Sequence, residues 1–70
     1  MTDLQAGYPS TRQIQNLIKE KTPVEVKLSF GESLSGKIRW QDPYCIGLVD
    51  DSNTVTQIRF SAIAYIVPQS

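Results

Sequence analysis

The sequence predicts a mainly β domain, in which one N-terminal helix precedes five short, strongly bent antiparallel strands that form a small open barrel. The apolar period changes from 3.6 residues to 2 at Pro23, which is typical of a helix followed by strands. Four turn-like segments then divide the rest of the chain into five short apolar stretches. Gly36 lies inside the second stretch, where a glycine marks a sharp bend, a bulge or a close backbone approach. At 70 residues the chain is one small domain, placed at 10–70 after a loosely held tail at 1–9.

The helix is predicted to begin at Ser10. Ser10 and Gln13 have the spacing of a capping box, in which each side chain bonds a backbone amide at the helix start. A narrow apolar stripe follows at the spacing of one helix face, formed by Ile14, Leu17 and Ile18. Pro23 ends the helix, because the residue before a proline, here Thr22, is disfavoured in the helical region.

The five strands are predicted from alternation, apolar continuity and turn residues. The first strand alternates through Val24, Val26, Leu28 and Phe30. After a turn at 31–32, the second strand continues the alternation with Leu34, Gly36, Ile38 and Trp40. The third strand, 44–49, is nearly continuous in apolar residues and should be the most buried. The fourth strand, 54–60, has on one face Thr56, Ile58 and Phe60, and a tight connection at 61–62 leads to the last strand at 63–67.

The small size of the chain favours self-association. A domain of this length buries only about 60% of the surface that its unfolded chain exposes, so its core needs a supplement. One cysteine and no histidine exclude an internal disulfide, a structural zinc site of the Cys/His type and catalysis by imidazole. We identify no catalytic residue, no metal ligand set and no cofactor site, and we predict that the protein is not an enzyme.

The charge of the chain is balanced but unevenly distributed. Seven basic and seven acidic residues cancel, so the chain has no global positive field that would attract nucleic acid or anionic lipid. Six of the basic residues lie between positions 12 and 39, against three acidic residues, and one surface is expected to be locally basic. No apolar run reaches the roughly 18 residues of a membrane span, and the N-terminus lacks a signal-peptide pattern. We therefore expect a cytoplasmic protein without a membrane partner.

The last predicted strand has an unprotected edge. Residues 63–67 carry no charge, and an apolar strand edge without charges tends to pair with another chain. Pairing of strand four of one copy with strand five of the next would satisfy both edges and could close a ring. The residues expected at this subunit interface are Ile58, Tyr65 and Ile66.

Several of these features together resemble the Sm-like fold and, within it, the bacterial Hfq family. They are the helix that ends before Pro23-Val24, the pattern Gly31-x-x-Leu34-x-Gly36-x-Ile38, Asp42, and the terminal Ile66-Val67-Pro68. The resemblance covers Ser10 to Pro68. It implies a homohexameric ring with a central pore, in agreement with the edge argument.

The same resemblance implies that the RNA-binding surfaces are altered. RNA-chaperone relatives have a Tyr-Lys-His run at the pore, where this chain has Arg59-Phe60-Ser61. Lys27 stands where the distal face of the family has a tyrosine, and in place of an arginine cluster the helix rim carries Ile18, Lys19 and Lys21. Tyr44 matches the aromatic residue that stacks a base between subunits. Weak RNA binding is therefore expected, through Tyr44, Lys27, Lys19 and Lys21.

The pattern is similar to the cyanobacterial Hfq-like branch, which keeps the ring while its RNA-binding residues diverge. That branch is linked to type IV pilus motility through a pilus-assembly ATPase, which becomes the expected protein partner. The resemblance thus implies a post-transcriptional regulator or a ring that docks a protein, with contacts at the pore edge and helix through Arg59, Phe60, Ser61, Arg12 and Lys19. The alternative is an RNA chaperone that binds small RNAs and mRNAs through its ring faces.

A few residues admit both a structural and a functional interpretation. Cys45 adjoins Ile46 in a strand predicted to be buried and is expected to be a core residue. Asp50-Asp51 lacks enough neighbouring ligands for a cation and is expected to be a solvated turn. Trp40 fits either base stacking or a cover over the barrel or an interface. Arg59 fits either phosphate binding or pairing with a carboxylate.

Overall fold

The computed structural model describes residues 8–69 and confirms one helix followed by five antiparallel strands. The elements in chain order are α1 (Pro9–Glu20), β1 (Pro23–Leu28), β2 (Ser33–Gln41), β3 (Cys45–Val49), β4 (Val55–Arg59), the 3-10 turn Phe60–Ala62 and β5 (Ile63–Pro68). The sheet order is β4-β3-β2-β1-β5, so β4 and β5 lie at opposite edges of an open sheet. Of the tail predicted at 1–9, residues 1–7 lie outside the described residues.

Helix α1 begins at Pro9, one residue before the predicted start, and the predicted capping box is wrong. The N-cap is Tyr8, whose backbone is extended, and no side chain caps the helix. A proline suits the first helical position, because its φ is already helical and the amide that it lacks would have no partner there. Ser10 consequently lies within the first turn rather than in front of it.

Helix α1 ends, as predicted, just before Pro23. Lys21 adopts the left-handed conformation with φ 53°. Its N–H donates to the carbonyl of Ile18 at 3.2 Å, and the N–H of Thr22 donates to the carbonyl of Leu17 at 3.1 Å. These two bonds form the Schellman pattern, which satisfies carbonyls that the last helical turn leaves without partners.

The β1–β2 hairpin closes earlier than the alternation predicts. Gly31 has φ 107°, and its N–H donates to the carbonyl of Leu28 at 3.0 Å. This conformation, which favours glycine, reverses the chain directly after Leu28. The prediction that Phe30 continues the strand is therefore wrong, because Phe30 lies in the turn with 70% of its surface exposed.

At Gly36 of β2, the backbone of β3 lies too close to leave room for a side chain. A Cβ at this position would lie 2.3 Å from the backbone oxygen of Val49. No backbone carbonyl tolerates a carbon atom at that distance, so only glycine fits here. Of the three features that a glycine inside a strand marks, a bend, a bulge or a close backbone approach, Gly36 shows the close approach.

The register of β2 against β3 shifts between Ile38 and Trp40. Ile38 lies opposite Leu48, whereas Trp40 lies opposite Gly47. Consecutive residues of a strand point to opposite faces of the sheet, so the shift places Trp40 on the face opposite to Ile38. The predicted alternation, which put both residues on one face, is wrong at Trp40 because an irregularity at Arg39 interrupts it.

The two faces of the sheet differ in character. The face that carries Ile38, Leu48 and Ile58, called the inner face here, packs together with α1 around the core. The face that carries Trp40, Gly47 and Lys37 is called the outer face. The buried core residues are Leu17, Val24, Val26, Leu28, Ile38, Ile46, Leu48 and Ile58. Strand β3 is the most buried strand, as predicted, and Cys45 within it is buried.

Candidate functional site

The free strand edges are the first candidate surface. Within residues 8–69, β4 pairs only with β3 and β5 pairs only with β1. Tyr65 and Val67 on β5 are 51% and 43% exposed, while Ile66 packs partly against the core. Ile58 lies opposite Ile46 inside the core and is only 5% exposed. Of the three residues expected at a subunit interface, Tyr65 is thus the one with a largely exposed side chain.

The pairing of β3 with β4 brings Tyr44 and Arg59 to one corner of the sheet, called the Tyr44–Arg59 corner here. Cys45 pairs with Arg59, and the N–H of Phe60 donates to the carbonyl of Tyr44 at 2.8 Å. Asp42 fixes the approach to β3, because its Oδ1 accepts from the N–H of Tyr44 at 2.9 Å and of Cys45 at 2.7 Å. Tyr44 is 57% exposed and Arg59 is exposed. An exposed aromatic residue and an exposed cation at one corner are side-chain types that bind nucleotides, the first by stacking and the second by contact with phosphate.

Phe60 and Ser61 add no charge to the Tyr44–Arg59 corner. Phe60 is half-buried and packs against the core, and Ser61 is exposed in the 3-10 turn. Arg59 forms no ion pair within residues 8–69. The corner therefore presents one cation per subunit.

The helix charges form a separate surface. Arg12 and Lys19 are seven residues apart on α1 and both are exposed, so they share one face about two turns apart. Lys21, at the left-handed end of α1, is also exposed. Ile18 packs against the core and offers no polar group. Lys19 lies in the last turn of α1, where a cation interacts favourably with the helix dipole.

Lys27 makes a structural contact within its own hairpin. Its Nζ donates to the carbonyl of Gly31 at 2.8 Å, which ties the ammonium group to the β1–β2 turn. Lys27 lies opposite Ser33 on β2 and opposite Tyr65 on β5. The position expected to carry a distal RNA contact thus holds a half-buried lysine with an aromatic residue across from it.

A groove of about 500 Å³ lies between α1 and β5. Its wall combines aromatic and aliphatic side chains with hydroxyl and amide groups, and among residues 8–69 no charged side chain lines it. The lining residues are Tyr8, Ser10, Thr11, Gln13, Ile14, Leu17, Gln41, Pro43, Phe60, Ile63, Tyr65 and Ile66. Sequence reasoning missed this groove, because helix periodicity shows which face of α1 is apolar but not where α1 crosses the sheet.

The acidic turn at 50–53 is held together by Asp50. Its Oδ1 accepts from the N–H of Ser52 at 2.9 Å and of Thr54 at 3.0 Å, and both Asp50 and Asp51 are exposed. Asp50 thus acts as an acceptor for its own turn.

Within residues 8–69 there is no group of three or more side chains that could hold a metal ion. No helix in that range is long and apolar enough to cross a membrane.

The outer face holds a further cluster that the alternation pattern concealed. The ring of Trp40 covers Gly47, since a Cβ on Gly47 would lie 2.3 Å from both Cε2 and Nε1 of that ring. Gln57 lies opposite Gly47 on β4, and its Nε2 donates to the Sγ of Cys45 at 3.4 Å. Trp40, Gln57 and Arg59 therefore share one face of three adjacent strands.

Comparisons with known proteins agree with this geometry. The model of the family described as "Hfq related" matches residues 8–68. A crystal structure of an Hfq protein from Anabaena sp. is 48% identical, with 87% of this chain and 97% of that chain covered and a TM-score of 0.78. A crystal structure described as the pleiotropic translational regulator Hfq is 22% identical, with 86% and 98% covered and a TM-score of 0.81. A search of curated protein sequences finds no significant match.

The family match spans all of the elements from α1 to β5. The structural match at lower identity supports the fold, in which one helix precedes an open five-stranded antiparallel sheet. The resemblance carried by Gly31, Leu34 and Gly36 is thereby confirmed. The chain belongs to the Hfq-related family and has its Sm-like fold.

Proposed function

We propose that this chain is the subunit of a homohexameric ring that acts in the cytoplasm as a post-transcriptional regulator or as a docking ring for a protein. The observation that carries the proposal is the strand order β4-β3-β2-β1-β5, which leaves two different strand edges free. A β4 edge on one copy can pair with a β5 edge on the next, and repeated pairing of this kind closes into a ring. Membership of the Hfq-related family supports an RNA-linked regulatory role.

The RNA-binding surfaces of this ring differ from those of RNA-chaperone relatives. Lys27 is tied to the carbonyl of Gly31, and the pore-edge stretch contains Phe60, which packs against the core. Each phosphate contact that a surface lacks lowers the affinity for RNA and weakens its dependence on salt. Weak RNA binding through Tyr44, Lys19 and Lys21 is therefore part of the proposal.

The proposed protein partner is a pilus-assembly ATPase, through which the ring would act in type IV pilus motility. The support is the similarity to the cyanobacterial branch of the family, together with the 48% identity to an Hfq protein from Anabaena. A ring presents each surface feature several times, so weak single contacts gain from effective concentration. The proposed contacts are Arg59, Phe60 and Ser61 at the pore edge, with Arg12 and Lys19 on α1.

A second candidate function, that of an RNA chaperone, is favoured by the Tyr44–Arg59 corner. Tyr44 is largely exposed at the start of β3, and Arg59 at the end of the neighbouring strand β4 has no carboxylate partner within residues 8–69. Stacking on Tyr44 together with one phosphate contact from Arg59 would bind a nucleotide at each subunit.

Two measurements test the proposal. Native mass spectrometry at micromolar concentration should give about six times 7.8 kDa, and a folded monomer under those conditions would contradict the ring. A pull-down of the pilus-assembly ATPase should lose recovery with Arg59→Glu or with Arg12→Glu plus Lys19→Glu, each checked first for ring formation.

Glu32→Lys, a charge reversal of opposite sign in the β1–β2 turn, is a control for charge reversal outside the contact surface, and it should leave recovery unchanged. Equal recovery with all variants would contradict the proposed contact surface. Tight binding of uridine-rich RNA that Tyr44→Ala abolishes would favour the RNA chaperone instead.

A further inference from the structure

We infer that Trp40 on the outer face of β2–β4 is a stacking site for a base of single-stranded RNA. The centre of this site, Trp40 with Gln57, belongs neither to the distal position Lys27 nor to the helix rim, and the site shares only Arg59 with the pore edge. It goes beyond the proposed ring function and does not depend on it, because all of its residues belong to one subunit.

The geometry of Trp40 is the first support. Its ring lies against the backbone of Gly47, where a Cβ would come within 2.3 Å of Cε2 and Nε1. The ring is therefore laid along the sheet and held there by β3, which reduces the rotamer freedom that a ligand would otherwise have to restrict. Trp40 is only half-buried, so part of the indole remains accessible to a base.

Gln57 supplies a polar group beside the ring. It lies opposite Gly47 on β4 and is exposed. Because its Nε2 donates to the Sγ of Cys45, the amide is oriented and its oxygen is available to accept from a base. An aromatic ring with an amide at its edge combines stacking with a hydrogen bond to the base.

The charge of these strands matches a phosphate backbone. β2, β3 and β4 contain no aspartate or glutamate. Three cations lie on them, namely Lys37, Arg39 and Arg59, and the register places Lys37 and Arg59 on the outer face with Trp40. Asp50 and Asp51, in the turn that follows β3, line a pocket together with Lys37, so the cations that lie clear of that turn are Arg39 and Arg59.

The combination of the Trp40 indole with nearby cations favours RNA over an acidic protein segment as the ligand. Stacking on an aromatic ring uses the π face that every base has, whereas an acidic side chain gains only from the cations. The stacking contribution is insensitive to salt compared with phosphate contacts. The expected binding is therefore weak, tolerant of sequence and only mildly dependent on salt.

Trp40 is the only tryptophan of the chain, so its fluorescence reports directly on the site. The full-length protein is titrated with oligonucleotides of about ten nucleotides, one uridine-rich, one adenine-rich and one abasic with the same sugar-phosphate backbone. Both base-containing oligonucleotides should quench the fluorescence, and the abasic one should not. Equal quenching by the abasic oligonucleotide, or binding without any quenching, would overturn the inference.

Variants test the site without relying on fluorescence. Trp40→Leu keeps an apolar cover over Gly47 but removes the ring, and it should lower the RNA affinity about 5- to 100-fold. Trp40→Phe should retain most of the affinity. Phe30→Leu, which removes the exposed ring of the β1–β2 turn, is the matched control and should leave binding unchanged.

A second pair of variants leaves the indole ring of Trp40 in place. Gln57→Glu sets a carboxylate beside Trp40 and should weaken RNA binding, whereas Thr54→Glu in the exposed β3–β4 loop makes the same charge change away from the site. Equal effects of the two substitutions would overturn the inference. Quenching by poly-glutamate but not by RNA would reassign the face to an acidic protein. The oligomeric state of each variant is measured separately. Loss of the hexameric assembly is thereby distinguished from loss of the Trp40 site.

Discussion

Trp40 of β2 and Gly47 of β3 form a cross-strand pair in which the indole ring occupies the space that a side chain at position 47 would need. The backbone of Gly47 is buried as a result, although it lies on the outer face. Neighbouring side chains across strands are a main source of stability in sheets. In this pair the indole of Trp40 fills the space of two side chains. The size of Trp40 therefore requires glycine at position 47.

Gly47→Ala should destabilise the protein by about 1–3 kcal/mol, because the new methyl group displaces the Trp40 ring. Urea unfolding at fixed protein concentration measures the change. In combination with Trp40→Leu the cost should be less than additive, since the smaller side chain leaves room for the methyl group. Fully additive costs would show that the two positions are not coupled.

Asp42→Ala should cost about 1–3 kcal/mol, because the N–H groups of Tyr44 and Cys45 both lose their acceptor. Asp42→Asn is the control, since it keeps an Oδ1 that can accept both bonds. The urea midpoint of the asparagine variant should lie much nearer to that of the wild type. Equal losses for the two variants would assign the effect to charge rather than to the hydrogen bonds.

Tyr65→Glu should weaken assembly, because it places a charge on the exposed apolar edge of β5. The protein concentration at half-assembly, followed by sedimentation, should rise about tenfold or more, which corresponds to roughly 1.4 kcal/mol. Phe30→Glu introduces the same charge at the exposed β1–β2 turn and should leave assembly unchanged. An unchanged midpoint with Tyr65→Glu would remove the β5 edge from the interface.

RNA binding should show a shallow dependence on salt. For single strands the slope of log affinity against log salt is about 0.7 per phosphate contact. One cation at the Tyr44–Arg59 corner, Arg59, predicts a slope of about 0.7 for that corner, and Arg59→Gln should flatten it further. Titration at several salt concentrations measures the slope, and a value of several units would show that RNA contacts cations beyond the Tyr44–Arg59 corner.

The order and types of the elements were predictable from local patterns. Pro23 and the change of apolar period separate α1 from the sheet, and the uninterrupted apolar residues of β3 predict its burial on both faces. Three predictions were wrong: the capping box at Ser10, the strand position of Phe30, and the placement of Trp40 on the same face as Ile38. They have a common origin. Pro9 at the helix start, Gly31 in the hairpin turn and the irregularity at Arg39 are each single-residue backbone effects, and a periodic pattern averages over them.

The candidate site was less predictable than the fold. Tyr44 and Arg59 lie 15 positions apart in the chain, and only the pairing of β3 with β4 brings them together. The stacking position of Trp40 depends on a one-residue shift of register, which exchanges the faces of all residues beyond it. The groove beside β5 depends on the crossing of α1 over the sheet. Each of these is a relationship between elements rather than a property of one segment.

The two free edges belong to different strands, β4 and β5, so an assembly that pairs them is head-to-tail. Every subunit then points the same way around the axis, and the two sides of the assembly are chemically distinct. A variant whose β5 edge is blocked but whose β4 edge is intact still pairs with one neighbouring subunit. No further subunit can add at its blocked edge. Such a subunit acts as a chain terminator, and small amounts co-expressed with the wild type should convert closed rings into open arcs.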